Sequence, residues 1–306
     1  MFTLSEDEVR ARLDPARVVA AIEEAFRVRY PTVAIPPRTH LPMENGAFLI
    51  MACYDQAGQG LGMKLVTVHE KAVGATGRIQ ATYLLLDTQT GSPKATIAAN
   101  WLTDLRTAAT SAVATKFLAA EDVKTLGVFG TGRQAQAHLR ILPLVRRFHR
   151  ALVCGTDFNE TRKLAACLSS ETGLAVEAAD ARTCATEADV LCTCTNSQFP
   201  LFDGSLLRPG THLNLVGAFR PQAREVDSMA VQRAKIVVDT YEGCLAEAGD
   251  LLIPMHEGAL SRQHILADLH ELCSGVQIRS GRDDITLFKS VGCALEDLVT
   301  AEMLVP

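Results

Sequence analysis

Hydrophobic residues recur with a helical period at the start of the chain and again around residue 110. Ser5 with Glu8 forms a predicted capping box, and Asp14 followed by Pro15 predicts the start of a second helix. A third helix contains "LRTAATSAVATKFLA". We expect it to begin at about Thr103, acting as the N-cap, and to run to residue 119.

Between these helices, β-rich runs are separated by glycine, proline and Asn-Gly turn signals. The runs are "IPPRTHLPMENGAFLIMACYD", "GLGMKLVTVHE" and "RIQATYLLLDTQTGSP". Such runs are typical of a mainly antiparallel sheet. The first part of the chain is therefore predicted to be an α+β domain and not a nucleotide-binding fold.

After residue 122 the pattern changes to short strand-like runs separated by helical or turn-rich segments. The runs are "KTLGVFG", "RALVCGT", "LAVEAA", "DVLCTCT", "THLNLVGA" and "AKIVVDT". This alternation indicates βαβ units and a parallel sheet with helices on both faces. It stops near residue 280, and "DDITLFKSVGCALEDLVTAEML" is predicted to be a loop and a long helix that return to the first domain.

The predicted fold class is therefore α/β, with two domains. Residues 121–281 are expected to form a doubly wound parallel sheet of the Rossmann type. Residues 1–120 together with 282–306 are expected to form the second, α+β domain.

Composition and charge exclude several classes of partner. The chain has 306 residues, of which 48% are hydrophobic, and a net charge of −5. Its longest basic cluster is "RRFHR", so we expect no nucleic-acid partner. Acidic residues near the amino end and the lack of a long apolar run predict a cytoplasmic protein without a membrane partner.

The nine cysteines follow no metal-binding or redox spacing. Cys192 and Cys194 are the closest pair, and they would share one face of a strand as buried free thiols. We predict no metal and no disulfide.

The stretch "GVFGTGRQAQAHL" is the first candidate for chemistry. It follows a predicted strand and opens a predicted helix, which places backbone N–H groups and the positive helix end where a pyrophosphate can bind. In this interpretation Gly130 permits the turn, Gly132 leaves room for the phosphate and Ala135 lets the helix pack on the strand. The predicted cofactor-binding residues of this loop are Gly130, Thr131, Gly132, Arg133, Gln134 and Ala135.

The second strand of this domain bears on the choice between NAD and NADP. An acid at its tip would bind the ribose diol, and a cation would bind a 2′-phosphate. Asp157 lies slightly late for the first role, whereas Thr156 with Arg162 or Lys163 suits the second. Both cofactors stay open, and the pattern leans towards NADPH.

Three cations of the first domain stand in unusual settings: Arg38, Lys64 and Arg106. Arg38 could be a surface loop cation, Lys64 an edge-strand residue that prevents aggregation, and Arg106 a partner of Asp104 or Glu121. A position for Arg106 in the first turn of its helix would cost about 0.3 kcal/mol or more unless an anion is present. A substrate carboxylate would supply that anion.

With these residues located, the chain resembles the ornithine cyclodeaminase and mu-crystallin family. The resemblance is carried by "PPR", "GMKLVTV", "LLLDTQTGSPKATI", "LTDLRTAATSAVA", "GVFGTGRQAQAHL", "EAGDLLIP" and "DDITLFKSVGCALED". It implies a homodimer in which the Rossmann domain binds NAD(P) and the other domain binds substrate and forms the dimer interface. It also implies that Arg38, Lys64 and Arg106 contact the substrate carboxylate and the reacting nitrogen.

Two departures from the cyclodeaminase pattern bear on the substrate. Phe219 stands where those members have an aspartate, and Leu49 stands where they have a glutamate. A diamine's distal ammonium would then be desolvated without a partner, which is costly. A phenyl group at 219 suits an apolar ring instead, as in the ketimine reductase branch. The alternative is that Phe219 is a core aromatic that points away from the site.

The resemblance and its departures favour NADPH- or NADH-dependent reduction of a cyclic ketimine carboxylate. The expected reaction converts Δ1-pyrroline-2-carboxylate, and its piperideine analogue, to L-proline and L-pipecolate. Lys64 is the predicted proton donor, with His40 and His69 as alternatives. Two other functions stay open: ornithine cyclodeaminase or alanine-type dehydrogenase, and a crystallin-like binding protein without turnover. By family analogy, Ser290, Val291 and Gly292 would line the nicotinamide end of the cofactor.

Overall fold

The computed structural model describes residues 1–58, 60–69 and 78–305 and divides the chain into two compact units. The first comprises Met1–Thr110 and the carboxyl-terminal segment that begins at Gly292. The second comprises Ser111–Val291.

The elements are numbered along the chain. The helices are α1 (Glu6–Arg12), α2 (Pro15–Glu24), α3 (Asn100–Leu118), α4 (Arg133–Ile141), α5 (Phe158–Thr172), α6 (Ala181–Glu187), α7 (Ser228–Gln232), α8 (Tyr241–Glu247), α9 (Gly249–His256), α10 (Leu269–Cys273) and α11 (Ala294–Glu302). The strands are β1 (Phe2–Leu4), β2 (Val33–Ala34), β3 (Thr39–Met43), β4 (Gly46–Asp55), β5 (Gly60–His69), β6 (Ile79–Leu86), β7 (Pro93–Ala98), β8 (Thr125–Phe129), β9 (Arg150–Cys154), β10 (Ala175–Ala178), β11 (Val190–Thr193), β12 (His212–Leu215), β13 (Ala234–Val238), β14 (Ile265–Asp268) and β15 (Ile285–Lys289).

In the described part of the first unit, seven strands form one sheet in the order β1-β7-β6-β5-β4-β2, with β3 paired to β4. The pairs are antiparallel except β1 with β7. Buried and partly buried residues alternate along β5, as expected of a strand with one covered face. Helix α11 packs against β4, β5 and β6 and supplies that cover.

The predicted starts of the first two helices are confirmed. Ser5 and Glu8 form a capping box on α1, and Asp14 accepts a hydrogen bond from Arg17 N while Pro15 opens α2. The sequence could predict these helix starts because each capping residue lies within three residues of the backbone group whose hydrogen bond it satisfies.

The start predicted for α3 was wrong. The helix begins at Asn100, and Thr103 donates its side-chain hydroxyl to Ala99 O instead of capping. The Glu6 carboxylate accepts hydrogen bonds from Asn100 N at 2.7 Å and Trp101 N at 3.0 Å. The cap therefore comes from a distant part of the chain, which no local pattern could indicate.

In the described part of the second unit, eight parallel strands follow the order β10-β9-β8-β11-β12-β15-β13-β14. Buried side chains form two apolar clusters on this sheet. Leu126 and Val128 of β8 belong to one cluster, and Phe129 of β8 belongs to the other. Because neighbouring strand residues point to opposite faces, both faces are covered. The predicted α/β fold class is confirmed.

The interpretation of the chain after residue 280 was wrong in one respect. Ile285–Lys289 form β15, which lies between β12 and β13 inside the parallel sheet, and not a loop. The strand follows a long irregular stretch, so the βα alternation had already faded from the sequence. As a result, the segment that belongs to the first unit begins at Gly292 and not near residue 282.

Two further features concern the predictions on membrane-spanning segments and on cysteines. Across the described ranges, no helix combines the length and apolarity needed to span a bilayer. All nine cysteines are free thiols, and Cys192 is fully buried in β11.

Candidate functional site

The glycine loop of the second unit joins β8 to α4. Gly130 has a φ of 113°, a region that favours glycine, and a Cβ there would lie 2.6 Å from Cys194 O. Gly132 is the N-cap of α4, and no side chain caps it. A Cβ at Gly132 would meet nothing within 4 Å among the described residues. Gly130 is therefore fixed by the protein's own backbone, whereas Gly132 faces open space.

This arrangement fits a dinucleotide pyrophosphate. The first N–H groups of a helix have no intrahelical partner, and here Thr131, Gly132 and Arg133 are exposed at that end. Gln134 is half-buried in the first turn, and Ala135 is fully buried against the second unit's core.

The tip of β9 carries the residues relevant to the cofactor's ribose. Thr156 is exposed, and Asp157 is the N-cap of α5, where it accepts hydrogen bonds from the backbone of Asn159 at 2.9 Å and Glu160 at 3.0 Å. Lys163 pairs with Glu160 on the surface. One Asp157 oxygen is therefore engaged in helix capping.

The end of β15 is held by a buried carboxylate. Asp239 Oδ2 accepts hydrogen bonds from Ser290 Oγ at 2.9 Å and from Val291 N at 2.7 Å. The two predicted nicotinamide-end residues of this unit therefore have a fixed backbone at the carboxyl edge of the sheet, where open α/β sheets bind their ligands.

Phe219 lies in the loop after β12. Its side chain is partly buried and packs against the apolar cluster that contains Leu213 and Leu215. Arg220 places its guanidinium 5.7 Å from the centre of the phenyl ring. Phe219 therefore contacts the apolar core, as the alternative interpretation of a core aromatic predicts, but its side chain is not fully buried.

In the first unit, Lys64 lies on β5 between Met51 of β4 and Tyr83 of β6. Its side chain is only 1% exposed, and Nζ donates a hydrogen bond to Asp297 Oδ1 at 2.7 Å. The interpretation of Lys64 as an edge-strand residue was therefore wrong, because β5 has neighbours on both sides. Helix α11 brings Asp297 onto the strand face that carries Lys64.

Arg106 belongs to the same cluster. It is the seventh residue of α3 and not part of the first turn, so the helix dipole does not explain its need for an anion. Its Nη1 pairs with Glu296 Oε2, and its Nε lies 2.9 Å from Asp297 Oδ1. Partners were predicted among nearby residues such as Asp104 and Glu121, but these two ion pairs are made by α11.

Gly292 connects the remaining cation to this cluster. Arg38 Nη2 donates a hydrogen bond to Gly292 O at 3.1 Å. A Cβ at Gly292, whose φ is 90°, would lie 2.9 Å from Arg106 Nη1. The glycine therefore leaves room for the Arg106 guanidinium, and Arg38, Lys64 and Arg106 meet in one region of the first unit.

Leu49 lies on the same strand face as this cluster. It is buried on β4, two residues from Met51, which is the direct neighbour of Lys64. His40 pairs with Leu49 from β3 and is exposed. His69 is five residues from Lys64 on β5 and therefore points to the opposite face, which separates it from the buried cations.

Burial and neighbouring charges adjust the ionisation of the two buried cations. Burial and the Arg106 charge lower the pKa of Lys64 to about 8, although Asp297 opposes the shift. Burial also lowers the pKa of Arg106, but the Asp297 and Glu296 carboxylates outweigh it and the pKa is raised. Lys64 can therefore exchange a proton near neutral pH, while Arg106 is a permanent cation.

The sequence interpretation missed both acids of this cluster. Glu296 and Asp297 are fully buried on α11, a helix in which five of the seven other residues are apolar. Two adjacent acids in a buried, apolar helix are expensive unless paired, and that conflict was the available signal.

The comparisons with known proteins place the chain in a family. The model of the Ornithine cyclodeaminase/mu-crystallin family matches residues 1–305. This protein is a member of that family. The resemblance inferred from the sequence motifs is therefore confirmed.

Within the ornithine cyclodeaminase/mu-crystallin family, this chain is similar to named reductases along nearly its whole length. It is 36% identical to a Delta(1)-pyrroline-2-carboxylate reductase of Bacillus cereus, over 99% of this chain and 95% of the relative. It is 34% identical to the ketimine reductase mu-crystallin of Rattus norvegicus, over 98% of this chain and 95% of that relative.

A solved family structure is equally similar. The Delta(1)-pyrroline-2-carboxylate reductase of Thermococcus litoralis, in complex with NADH and L-proline, has a TM-score of 0.96 and 36% identity. The match covers 99% of this chain and 96% of that one.

Proposed function

We propose that this protein reduces Δ1-pyrroline-2-carboxylate to L-proline with NADPH or NADH, and the six-membered piperideine analogue to L-pipecolate. The observation that carries the proposal is the buried cluster of Lys64 and Arg106 with Asp297. The full-length similarity to named pyrroline-2-carboxylate reductases supports this substrate class.

Arg38 and Arg106 bind the substrate carboxylate. The guanidinium of Arg106 is held by Nη1, which pairs with Glu296, and by Nε, which lies 2.9 Å from Asp297 Oδ1. Arginine's planar fork suits a carboxylate, and its fixed orientation presents the imine bond in one direction. Leu49 offers an apolar surface beside Lys64 for the ring methylenes, and Phe219 is proposed to contact the ring as well.

Lys64 protonates the ring nitrogen. Its ammonium form must be present for this role, and the pKa of about 8 gives the direction of the pH dependence. If this step limits the rate, activity should be highest below about pH 8, where Lys64 is an ammonium. It should fall as the pH rises through that value, because the neutral amine cannot donate the proton.

A nicotinamide dinucleotide fits the second unit at the loop from Gly130 to Ala135, where the open side of Gly132 and the uncapped helix end suit a pyrophosphate. When bound, the cofactor supplies the hydride. Ser290, Val291 and Gly292 are proposed to lie at its nicotinamide end. Thr156, with Arg162 nearby on α5, favours NADPH, because one Asp157 oxygen is engaged as a cap.

A second copy of the chain is the proposed partner. The face of β4 and β5 opposite Lys64 carries Phe48, Ile50 and Leu65, and the adjoining Leu41 is 47% exposed. An apolar sheet face of this kind is typical of an interface between subunits. Leu65→Glu should reduce the mass in solution from two chains to one, whereas Leu144→Glu, on an exposed site of the second unit, should not. An unchanged dimer in Leu65→Glu would place the interface elsewhere.

The reductase assay tests the reaction directly. Purified protein is mixed with Δ1-pyrroline-2-carboxylate and either NADPH or NADH, while absorbance of the reduced cofactor and L-proline are followed together. Cofactor oxidation matched by proline is the expected result. Ammonia release from ornithine instead would indicate a cyclodeaminase, and cofactor binding without any turnover would indicate a binding protein.

The cytoplasm is the proposed location. Nine free cysteines are typical of a protein from a reducing compartment.

A further inference from the structure

Asp297 lies between the two buried cations of the first unit, Lys64 and Arg106. It is fully buried, and its Oδ1 contacts both Lys64 Nζ at 2.7 Å and Arg106 Nε at 2.9 Å. Among the described residues, Oδ2 has no hydrogen-bond partner. Buried carboxylate oxygens are normally bonded, because desolvation without compensation is costly. The spare acceptor indicates that this acid serves more than the packing of α11.

The other groups around Lys64 do not provide the same interaction. Arg106 on α3 and Arg38 before β3 are cations that oppose a second positive charge. Tyr83 on β6 and Cys53 on β4 are neutral, since burial raises the pKa of the phenol and raises the pKa of the thiol to about 12.

The neighbouring acid is committed to other groups. Glu296 Oε2 pairs with Arg106, and its Oε1 accepts a hydrogen bond from Cys293 N at the start of α11. On β4, the face beside Lys64 offers Leu49 and Met51, which carry no charge. Within the ranges that the structure describes, the carboxylate in contact with Lys64 is that of Asp297.

We propose that Asp297 is the positioning residue that keeps Lys64 protonated and aims its ammonium at the imine nitrogen. The inference rests on the proposed reductase function. In the step, one N–H bond of Lys64 breaks and an N–H bond forms at the ring nitrogen, using the electron pair of the C=N π bond. The ring carbon accepts the hydride from the reduced nicotinamide. Lys64 is left as a neutral amine and regains its proton from solvent.

A direct measurement of the Lys64 titration tests this role without relying on turnover. Protein carrying ¹³C-labelled lysine is titrated by NMR, and the Lys64 resonance is assigned by its loss in Lys64→Met. We expect a wild-type midpoint near the pKa of about 8. In Asp297→Asn the acid constant should rise at least about tenfold, because the ammonium loses its anion. The matched control is Glu302→Gln, which removes another carboxylate of α11, one that pairs with Arg29. In Glu302→Gln the midpoint of the Lys64 titration should equal that of the wild type.

An unchanged Lys64 midpoint in Asp297→Asn would overturn the proposal. Asp297→Glu covers the case in which the amide variant does not fold, because it keeps the charge but displaces it by one methylene. We expect a nearly wild-type midpoint in this variant with kcat reduced about tenfold or more, as misplacement lowers the rate of proton transfer. Full activity in Asp297→Glu would show that the position of the carboxylate does not matter and would also overturn the proposal.

The pH profile of kcat/KM connects the titration to the reaction. The alkaline limb of Asp297→Asn should move to lower pH by the same amount as the NMR midpoint. Its kcat should fall by about 100-fold, in the range of a lost general acid, with an unchanged KM for the cofactor. A limb that stays in place while the NMR midpoint moves would contradict the assignment of the proton donor. Absence of any reductase activity in the wild type would refute the proposed function, and the NMR titration would still decide the role of Asp297.

Discussion

The ion cluster around Lys64 and the glycine loop at Gly130 handle charge in opposite ways. The cluster buries two cations and two carboxylates, which form ion pairs with one another. The loop carries bare backbone at a helix end, with an open side at Gly132. A buried ion pair can change its protonation, whereas backbone N–H groups cannot. The first arrangement suits a proton transfer, and the second suits a phosphate whose charge is constant.

Removal of the ammonium should have the largest effect. Lys64→Met is expected to lower kcat by about 100-fold or more while leaving cofactor affinity intact, because the proton donor is lost and the glycine loop is not touched. Single-turnover oxidation of the reduced cofactor measures the loss. Lys94→Met is the control, since Lys94 is 46% exposed on β7 of the same sheet. Equal activity of both variants would remove Lys64 from the chemistry.

The two glycines of the loop should separate folding from binding. Gly132→Val is expected to weaken cofactor binding by about tenfold or more without a change in Tm, because a Cβ at this position would meet nothing within 4 Å among the described residues. Gly130→Val should lower both the cofactor affinity and the Tm, since φ at this position is positive and a Cβ would lie 2.6 Å from Cys194 O. Cofactor fluorescence titration and thermal unfolding distinguish the two outcomes. Normal binding by Gly132→Val would mean that this side of the loop does not face the cofactor.

Arg106→Lys tests the carboxylate clamp. The variant keeps a positive charge near Glu296 but loses the planar fork, so KM for the imine should rise by roughly tenfold, with a smaller change in kcat. Initial rates over a range of substrate concentrations measure both constants. An unchanged KM would indicate that the carboxylate binds elsewhere.

The smallest expected effect concerns the helix that carries Arg106. Glu6→Gln removes the charge that caps Asn100 and Trp101, and it should cost about 1 kcal/mol of the free energy of unfolding with little change in kcat. Denaturant unfolding measures the difference. Asp7→Asn on the same helix is the control, and an equal loss in that variant would mean that the cap contributes nothing specific.

The same contrast explains what the sequence could predict. The glycine loop is contiguous, so Gly130, Gly132 and Ala135 were found together with the strand and helix that flank them. The ion cluster joins residues 233 positions apart, Lys64 and Asp297, so its cations were found but its acids were not. The prediction of where α3 begins was wrong for the same reason, because the group that caps this helix is Glu6, which is distant in sequence. Local patterns predict elements and motifs, whereas a partner supplied by tertiary packing leaves no signal at its own position.

Transfer of deuterium from the cofactor to proline tests the proposed hydride step directly. The protein is incubated with Δ1-pyrroline-2-carboxylate and a reduced cofactor that is dideuterated at C4 of the nicotinamide, and the products are analysed by mass spectrometry. We expect L-proline that carries one deuterium, at the carbon bonded to the carboxylate, in amounts equal to the cofactor oxidised. Unlabelled proline, or oxidised cofactor without proline, would contradict hydride transfer to the imine carbon.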